Sequence, residues 1–145
     1  MTQRLRSLLL GAAALLTLFA SQAAALSLGQ RVQSMVNTHK VLMFMNGSQI
    51  SPKCAKSSDA VLCLERICGA GAPDKNGRPR DENLFRIVDV TSSKKICEGL
   101  REFNPEWDPS IPQLYVGGEF FGGVDTMYKK FYSGNLKKVI DAIDE

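Results

Sequence analysis

The chain has 145 residues, with 18 Lys and Arg, 15 Asp and Glu, and 44% hydrophobic residues. That length suits one domain, and a net charge of +3, which drops to +1 without Arg4 and Arg6, is not the basic surplus a nucleic-acid surface needs. Four cysteines are too few for a disulfide-dense scaffold, and a single histidine offers little to a metal.

The chain opens with MTQRLR, where Arg4 and Arg6 precede the charge-free run SLLLGAAALLTLFA. SQAAA follows, with Ala23 and Ala25 in an A-x-A pattern. A positive start, an apolar middle and a small-residue exit mark a secretory-type leader over residues 1–25, cut near Ala25. Two alternatives stand beside it. No charge lies between Ser7 and Gln30, which suits an uncleaved anchor, although the apolar core is short for a span. No acid precedes Asp59, which suits an organelle transit peptide. The secretory reading leads to the endoplasmic reticulum lumen, the exterior, or a plastid behind a secretory leader; the transit reading leads to a mitochondrion. Losing Arg4 and Arg6 with the leader leaves 16 basic against 15 acidic residues, so domain 26–145 carries +1.

Within that domain, Val32, Met35 and Val36 fall at i, i+3 and i+4, which predicts a short amphipathic helix over 29–38. VLMFM, residues 41–45, is an unbroken apolar run, as in a strand buried on both faces. The stretch 46–53 reads as a loop. Over 55–68, Ala60, Val61, Leu64 and Ile67 share a helical face. GAGAPDKNGRPRDEN, residues 69–83, is rich in Gly, Pro and Asn and reads as a long mobile loop. LFRIVDV (84–90) is a second strand, and TSSKK opens a helix with Ile96, Leu100 and Phe103 at helical spacing. NPEWDPS breaks that helix. IPQLYVGGEFFGG (111–123) reads as strand, Gly-Gly turn, strand. Met127, Tyr128, Phe131 and Tyr132 share a face; after Ser133-Gly134, Leu136, Val139, Ile140 and Ile143 mark a last helix. The order α-β-α-β-α-β-β-α-α builds an α/β sandwich around a mixed sheet.

Three local patterns carry chemistry. Cys54 falls where the loop after the first strand meets a helix start, where unpaired N–H groups and the helix dipole favour thiolate. Lys53 and Lys56 add cations nearby; the plainer role is an inert cysteine capping the helix. Pro112 opens a strand, either as an ordinary strand-start proline or with a cis Ile111–Pro112 bond. Gly122-Gly123-Val124-Asp125 puts glycines before a helix start, an anion-receptive turn in which Asp125 either caps the helix or accepts from a ligand ammonium. The cysteines Cys54, Cys63, Cys68 and Cys97 are separated by 8, 4 and 28 residues, which is not the spacing of a zinc site. An even count behind a secretory leader also allows two disulfides, and Cys68 and Cys97 flank the long loop.

In order and spacing these blocks resemble the monothiol glutaredoxins, of the thioredoxin-fold superfamily, over about residues 28–143. VLMFMNGSQISPKCAKS is similar to the family's strand, loop and Cys-Gly-Phe-Ser site. WDPSIPQLYVGGEFFGGVD is similar to its Trp-Pro-Thr-x-Pro-Gln-Leu-Tyr-Val-x-Gly-Glu-Phe-x-Gly-Gly-Cys-Asp segment, and YKKFYSGNLKKVI to its closing helices. The resemblance implies a thioredoxin-like (glutaredoxin) α/β fold, with a four-stranded mixed sheet flanked by helices. It implies glutathione as the bound cofactor. Cys54 would be the thiolate, Ile111 before a cis Pro112 would pair its backbone with the cysteinyl unit, and Val124 N–H and Asp125 would hold the γ-glutamyl end. It further implies a 2Fe–2S cluster bridging a homodimer, with Cys54 and a glutathione thiol from each side, for delivery to iron–sulfur recipient proteins.

The chain departs from the family pattern at the same site. Asn46 stands where the family has a Lys, Ala55-Lys56 where it has Gly-Phe, and Val124 where it has Cys. Cys97 aligns with a family Arg, with Arg101 one helical turn on as a replacement cation. Losing one charge-assisted hydrogen bond to the glutathione carboxylate costs ~1.5–3 kcal/mol, roughly ten- to a hundredfold in affinity. Three functions follow: cluster carriage; glutathione-dependent thiol–disulfide exchange with Cys54 as nucleophile; and a non-catalytic binding module. The mature chain needs no membrane span in any of them.

Overall fold

A computed structural model describes residues 26–106 and 110–144. The expected leader 1–25 lies outside the described residues, as do Trp107, Asp108 and Pro109 of the family-like segment. The elements in chain order are α1 (Leu28–Thr38), β1 (Val41–Met45), β2 (Gly47–Ser48), β3 (Ser51–Pro52), α2 (Ala55–Cys68), β4 (Phe85–Asp89), a 3-10 turn (Val90–Ser92), α3 (Lys94–Phe103), β5 (Gln113–Val116), β6 (Glu119–Gly122), α4 (Val124–Tyr132) and α5 (Asn135–Ile143).

Four strands form one sheet in the order β4-β1-β5-β6. β1 runs parallel to β4 and antiparallel to β5, and β5 and β6 form the expected Gly-Gly hairpin. The unbroken apolar run in β1 is explained by its central place. Val41, Met43 and Met45 enter a core under α2, α4 and α5, while Leu42 and Phe44 enter a second core under α1 and α3. Both faces are covered, so every β1 side chain is buried. α1 and α3 meet closely at Gly99, where a Cβ would stand 2.7 Å from the Leu28 carbonyl oxygen and 2.8 Å from a Val32 methyl.

The register brings one end of the sheet together. Met45 pairs with Asp89 at the ends of β1 and β4, Phe44 with Gln113 at the start of β5, and Leu114 with Gly122 at the end of β6. The segments leading to Cys54, Thr91, Pro112 and Asp125 therefore all leave or join the sheet along this edge.

Three sequence expectations are corrected or extended. The loop 46–53 contains a two-stranded hairpin, β2–β3, pairing Gly47 with Pro52 and Ser48 with Ser51. Its strands are two residues long, too short for an alternation pattern to show in the sequence. The connection 69–83, expected as a long loop of Gly, Pro and Asn, carries bonds of its own that its composition did not announce. Pro73 bridges Pro79, Asp74 accepts from the N–H groups of Asn76 and Arg78, and Arg80 N–H donates to Ala72 O at 2.9 Å. The Arg80 side chain is fully buried and paired with Asp141 and Asp144 of the α5 end. Lastly, Cys68 belongs to the core on one sheet face and Cys97 packs against the core on the other, so the sheet separates them and they do not pair.

Candidate thiol site

Cys54 is the N-cap of α2, in extended backbone conformation. A cap side chain accepts from the N–H three residues on, and here the sulfur accepts from Ser57 N–H at 3.4 Å. The Ser57 hydroxyl oxygen lies 3.1 Å from the same sulfur and is fully buried with its residue. Asn46 N–H donates to that hydroxyl oxygen at 3.3 Å. With an acceptor position filled by Asn46, the hydroxyl hydrogen is free to point at the sulfur and stabilise a thiolate.

These bonds set the thiol's acidity. The Ser57 hydroxyl holds Cys54 below its ordinary pKa against the opposing pull of burial, helped by Ser57 N–H, the Asn46 side-chain amide and Lys56 N–H. Lys56 thus acts through its main chain, and the lowering comes from hydrogen bonds rather than from the two ammonium groups that the sequence pattern suggested. Lys53 turns away to donate to the Thr91 hydroxyl at 2.9 Å, and Lys56 is exposed. The core cysteines go the other way: burial raises Cys63 and pushes Cys68 to about 12.

The other expected site residues sort as follows. The Ile111–Pro112 bond is cis, just before β5, with Ile111 half-buried and Pro112 buried. At α4 the N-cap is Gly123 and no side chain caps it, so capping is not the role of Asp125. The Asp125 carboxylate is exposed, with no bonding partner among the described residues, and Val124 stands beside it in the first turn with its N–H unpaired within the helix. Arg101 lies in the last turn of α3, exposed, about 10 Å along the axis from the helix start at 1.5 Å per residue. Cys97 donates to Val90 O at 3.5 Å and is half-buried under the sheet.

Two contributions were not drawn from the sequence. The first is the Ser57 hydroxyl as the main support of the thiolate. Its spacing of three from the cap is the signal that could have found it. The second is the chain Lys53–Thr91–Asp89, in which Lys53 lies too far along the sequence from Asp89 and Thr91 for a local pattern to join them. Among the described residues no group of three or more His, Cys, Asp or Glu is gathered to hold a metal.

No protein-family model matches the chain. It is similar to the uncharacterized monothiol glutaredoxin ycf64-like of Synechocystis sp., 32% identical over 77% of this chain and 89% of that protein. Monothiol glutaredoxin-S14, chloroplastic, of Arabidopsis thaliana is 32% identical over 86% of this chain, which spans 64% of that protein. Monothiol glutaredoxin-5, mitochondrial, of Schizosaccharomyces pombe is 33% identical over 79% of this chain and 70% of its own length. Among solved structures, reduced apo GrxS14 of poplar aligns with a TM-score of 0.59 at 30% identity, over 80% of this chain and 92% of that one. A buckwheat glutaredoxin solved as a glutathione complex shares the fold, with a TM-score of 0.59 at 15% identity over 80% of this chain and 89% of that one.

Proposed function

The chain belongs to the monothiol glutaredoxin family, and on that footing we propose that it binds glutathione beside Cys54 and, as a homodimer, carries a bridged 2Fe–2S cluster to iron–sulfur recipient proteins. Cys54 supports this reading: it is a partly exposed thiol held toward thiolate, the form that ligates iron. One thiolate per chain cannot hold such a cargo alone, so the remaining ligands are Cys54 of a second copy and two glutathione thiols. On each chain the backbone of Ile111 takes the cysteinyl unit, and Val124 N–H with the unpaired Asp125 carboxylate takes the γ-glutamyl end. Asn46 and Lys56 border the sulfur, and Arg101 is the replacement cation for the glycyl carboxylate.

Anaerobic reconstitution with iron, sulfide and glutathione tests it. Colour that needs both glutathione and Cys54, with a shift from monomer to dimer, supports carriage; a colourless monomer sinks it.

The lowered thiol also favours a second reading, reduction of glutathione mixed disulfides. The Cys54 thiolate attacks the glutathione sulfur, the protein thiol leaves, and a second glutathione thiolate releases Cys54 as glutathione disulfide forms. Turnover of a glutathionylated peptide, lost in Cys54→Ser, is its test.

For the compartment we propose a plastid or a mitochondrion, as the names of two relatives have it. Asn46-Gly47-Ser48 is an N-glycosylation acceptor sequence, and a glycan on Asn46 would crowd Cys54, which disfavours a lumen where such glycans are added. A fluorescent fusion of residues 1–28 checks this; retention in the endoplasmic reticulum overturns it.

A further inference from the structure

Asn46 is held from two sides. Its N–H donates to Ser57 Oγ at 3.3 Å, and its carbonyl accepts from Lys53 N–H at 2.9 Å. Gly47, next along, is at φ +89°, and a Cβ there would stand 2.4 Å from Ser51 O and 2.7 Å from Lys53 N. The hairpin is therefore closed tightly at its base, and that base is what delivers an N–H to the serine that faces the thiol.

The base is in turn tied to a distant element. Gly47 N–H donates to Asp89 Oδ1 at 3.0 Å, at the end of β4. The same oxygen accepts from Thr91 N–H at 2.8 Å and from the Thr91 hydroxyl at 2.6 Å. The Thr91 hydroxyl accepts from Lys53 Nζ at 2.9 Å. The circuit Asn46–Gly47–Asp89–Thr91–Lys53–Asn46 closes on itself, through four hydrogen bonds and the peptide link between Asn46 and Gly47.

We propose that Lys53, Thr91 and Asp89 are positioning residues for the thiol, a clamp that fixes the main chain of Asn46 against Ser57 and so sets the reactivity of Cys54. The proposal rests on Cys54 as the working thiol, not on glutathione or a cluster. Lys53 acts through the clamp: its ammonium donates to the Thr91 hydroxyl, while the sulfur's own contacts are the Ser57 hydroxyl and N–H. Thr91 is the bridge, since its one hydroxyl both donates to Asp89 and accepts from Lys53.

Thr91→Val keeps the side chain's shape and removes the hydroxyl; Thr91→Ser keeps the hydroxyl. The full-length chain is treated with iodoacetamide at fixed pH, and labelling of the Cys54 peptide is followed by mass spectrometry. A net hydrogen-bond contribution corresponds to roughly two- to tenfold slower labelling in Thr91→Val and in Lys53→Met. Thr91→Ser should label at the wild-type rate, and the double variant should be no slower than the slower single one. Amide hydrogen exchange at Asn46 should quicken in Thr91→Val at an unchanged melting temperature. Unchanged or faster labelling in Thr91→Val, a serine variant that does not rescue, or unchanged Asn46 exchange overturns the proposal. Each readout proceeds without glutathione, iron or sulfide, so loss of the carriage reading would leave this one standing.

Discussion

Two polar, glycine-bearing connections end differently. NGSQISPK, before α2, is held by hydrogen bonds of its main chain and of the Lys53 ammonium and leaves a thiol partly open to solvent. GAGAPDKNGRPRDEN, after α2, closes over a guanidinium whose side chain is fully buried, with Asp141 and Asp144 facing it. The first spends its bonds on orientation, the second on attachment. Breaking a buried charge pair is expensive because a charge is stranded; breaking a surface hydrogen bond is cheap in stability yet shifts where a proton sits. Loss of the first should therefore show in chemistry, and loss of the second in stability.

The largest effect tests the first region. Cys54→Ser should abolish both glutathione-dependent colour and reduction of a glutathionylated peptide, with little change in the urea midpoint. Arg80→Ala should do the reverse, lowering stability by ~1.5–3 kcal/mol in urea unfolding for the lost charge-assisted hydrogen bonds, while Cys54 labelling stays at its wild-type rate. Altered labelling in that variant would show that the two regions are coupled. Gly47→Ala forces a Cβ into a left-handed position against Ser51 O and should cost ~1–3 kcal/mol while also slowing Cys54 labelling. An effect on stability alone would loosen the link between hairpin and thiol.

Two smaller effects depend on pH. Ser57→Ala should move the midpoint of Cys54 labelling against pH upward, because the hydroxyl is the main support of the thiolate. For the second region, burial would raise the Asp141 carboxyl, but Lys137 and Arg80 overcome it and hold the folded pKa below the usual range. Its contribution is thus present above the unfolded carboxylate pKa, about 4, and is lost as pH falls through the lower folded value. Urea midpoints from pH 5 down to pH 2 should fall less in Arg80→Ala than in the wild type.

Local patterns made the scaffold legible. The apolar run of β1, the helical face of α2 and the Gly-Gly hairpin each show their period within a dozen residues. The placement of the candidate residues was legible where it is also local: Cys54 at a helix start, Pro112 before a strand, glycines before Asp125. What escaped was held by long-range partners. Lys53 and Thr91 are 38 residues apart, and Arg80 and Asp141 are 61 apart. Polar side chains in a Gly/Pro-rich stretch look alike whether they meet water or a carboxylate across the fold, and no periodicity separates the two.

Connections between elements are where a domain ordinarily accepts insertions and deletions. The Arg80 lock removes that freedom from the connection after α2. Arg80 is presented to α5 by a segment in which Ala72 O takes its N–H and a turn at Asp74 sets how many residues lie between. Deleting one residue from 73–79 would change that count and draw the guanidinium back from its carboxylates. Its length is thereby fixed, as a core position is fixed in volume.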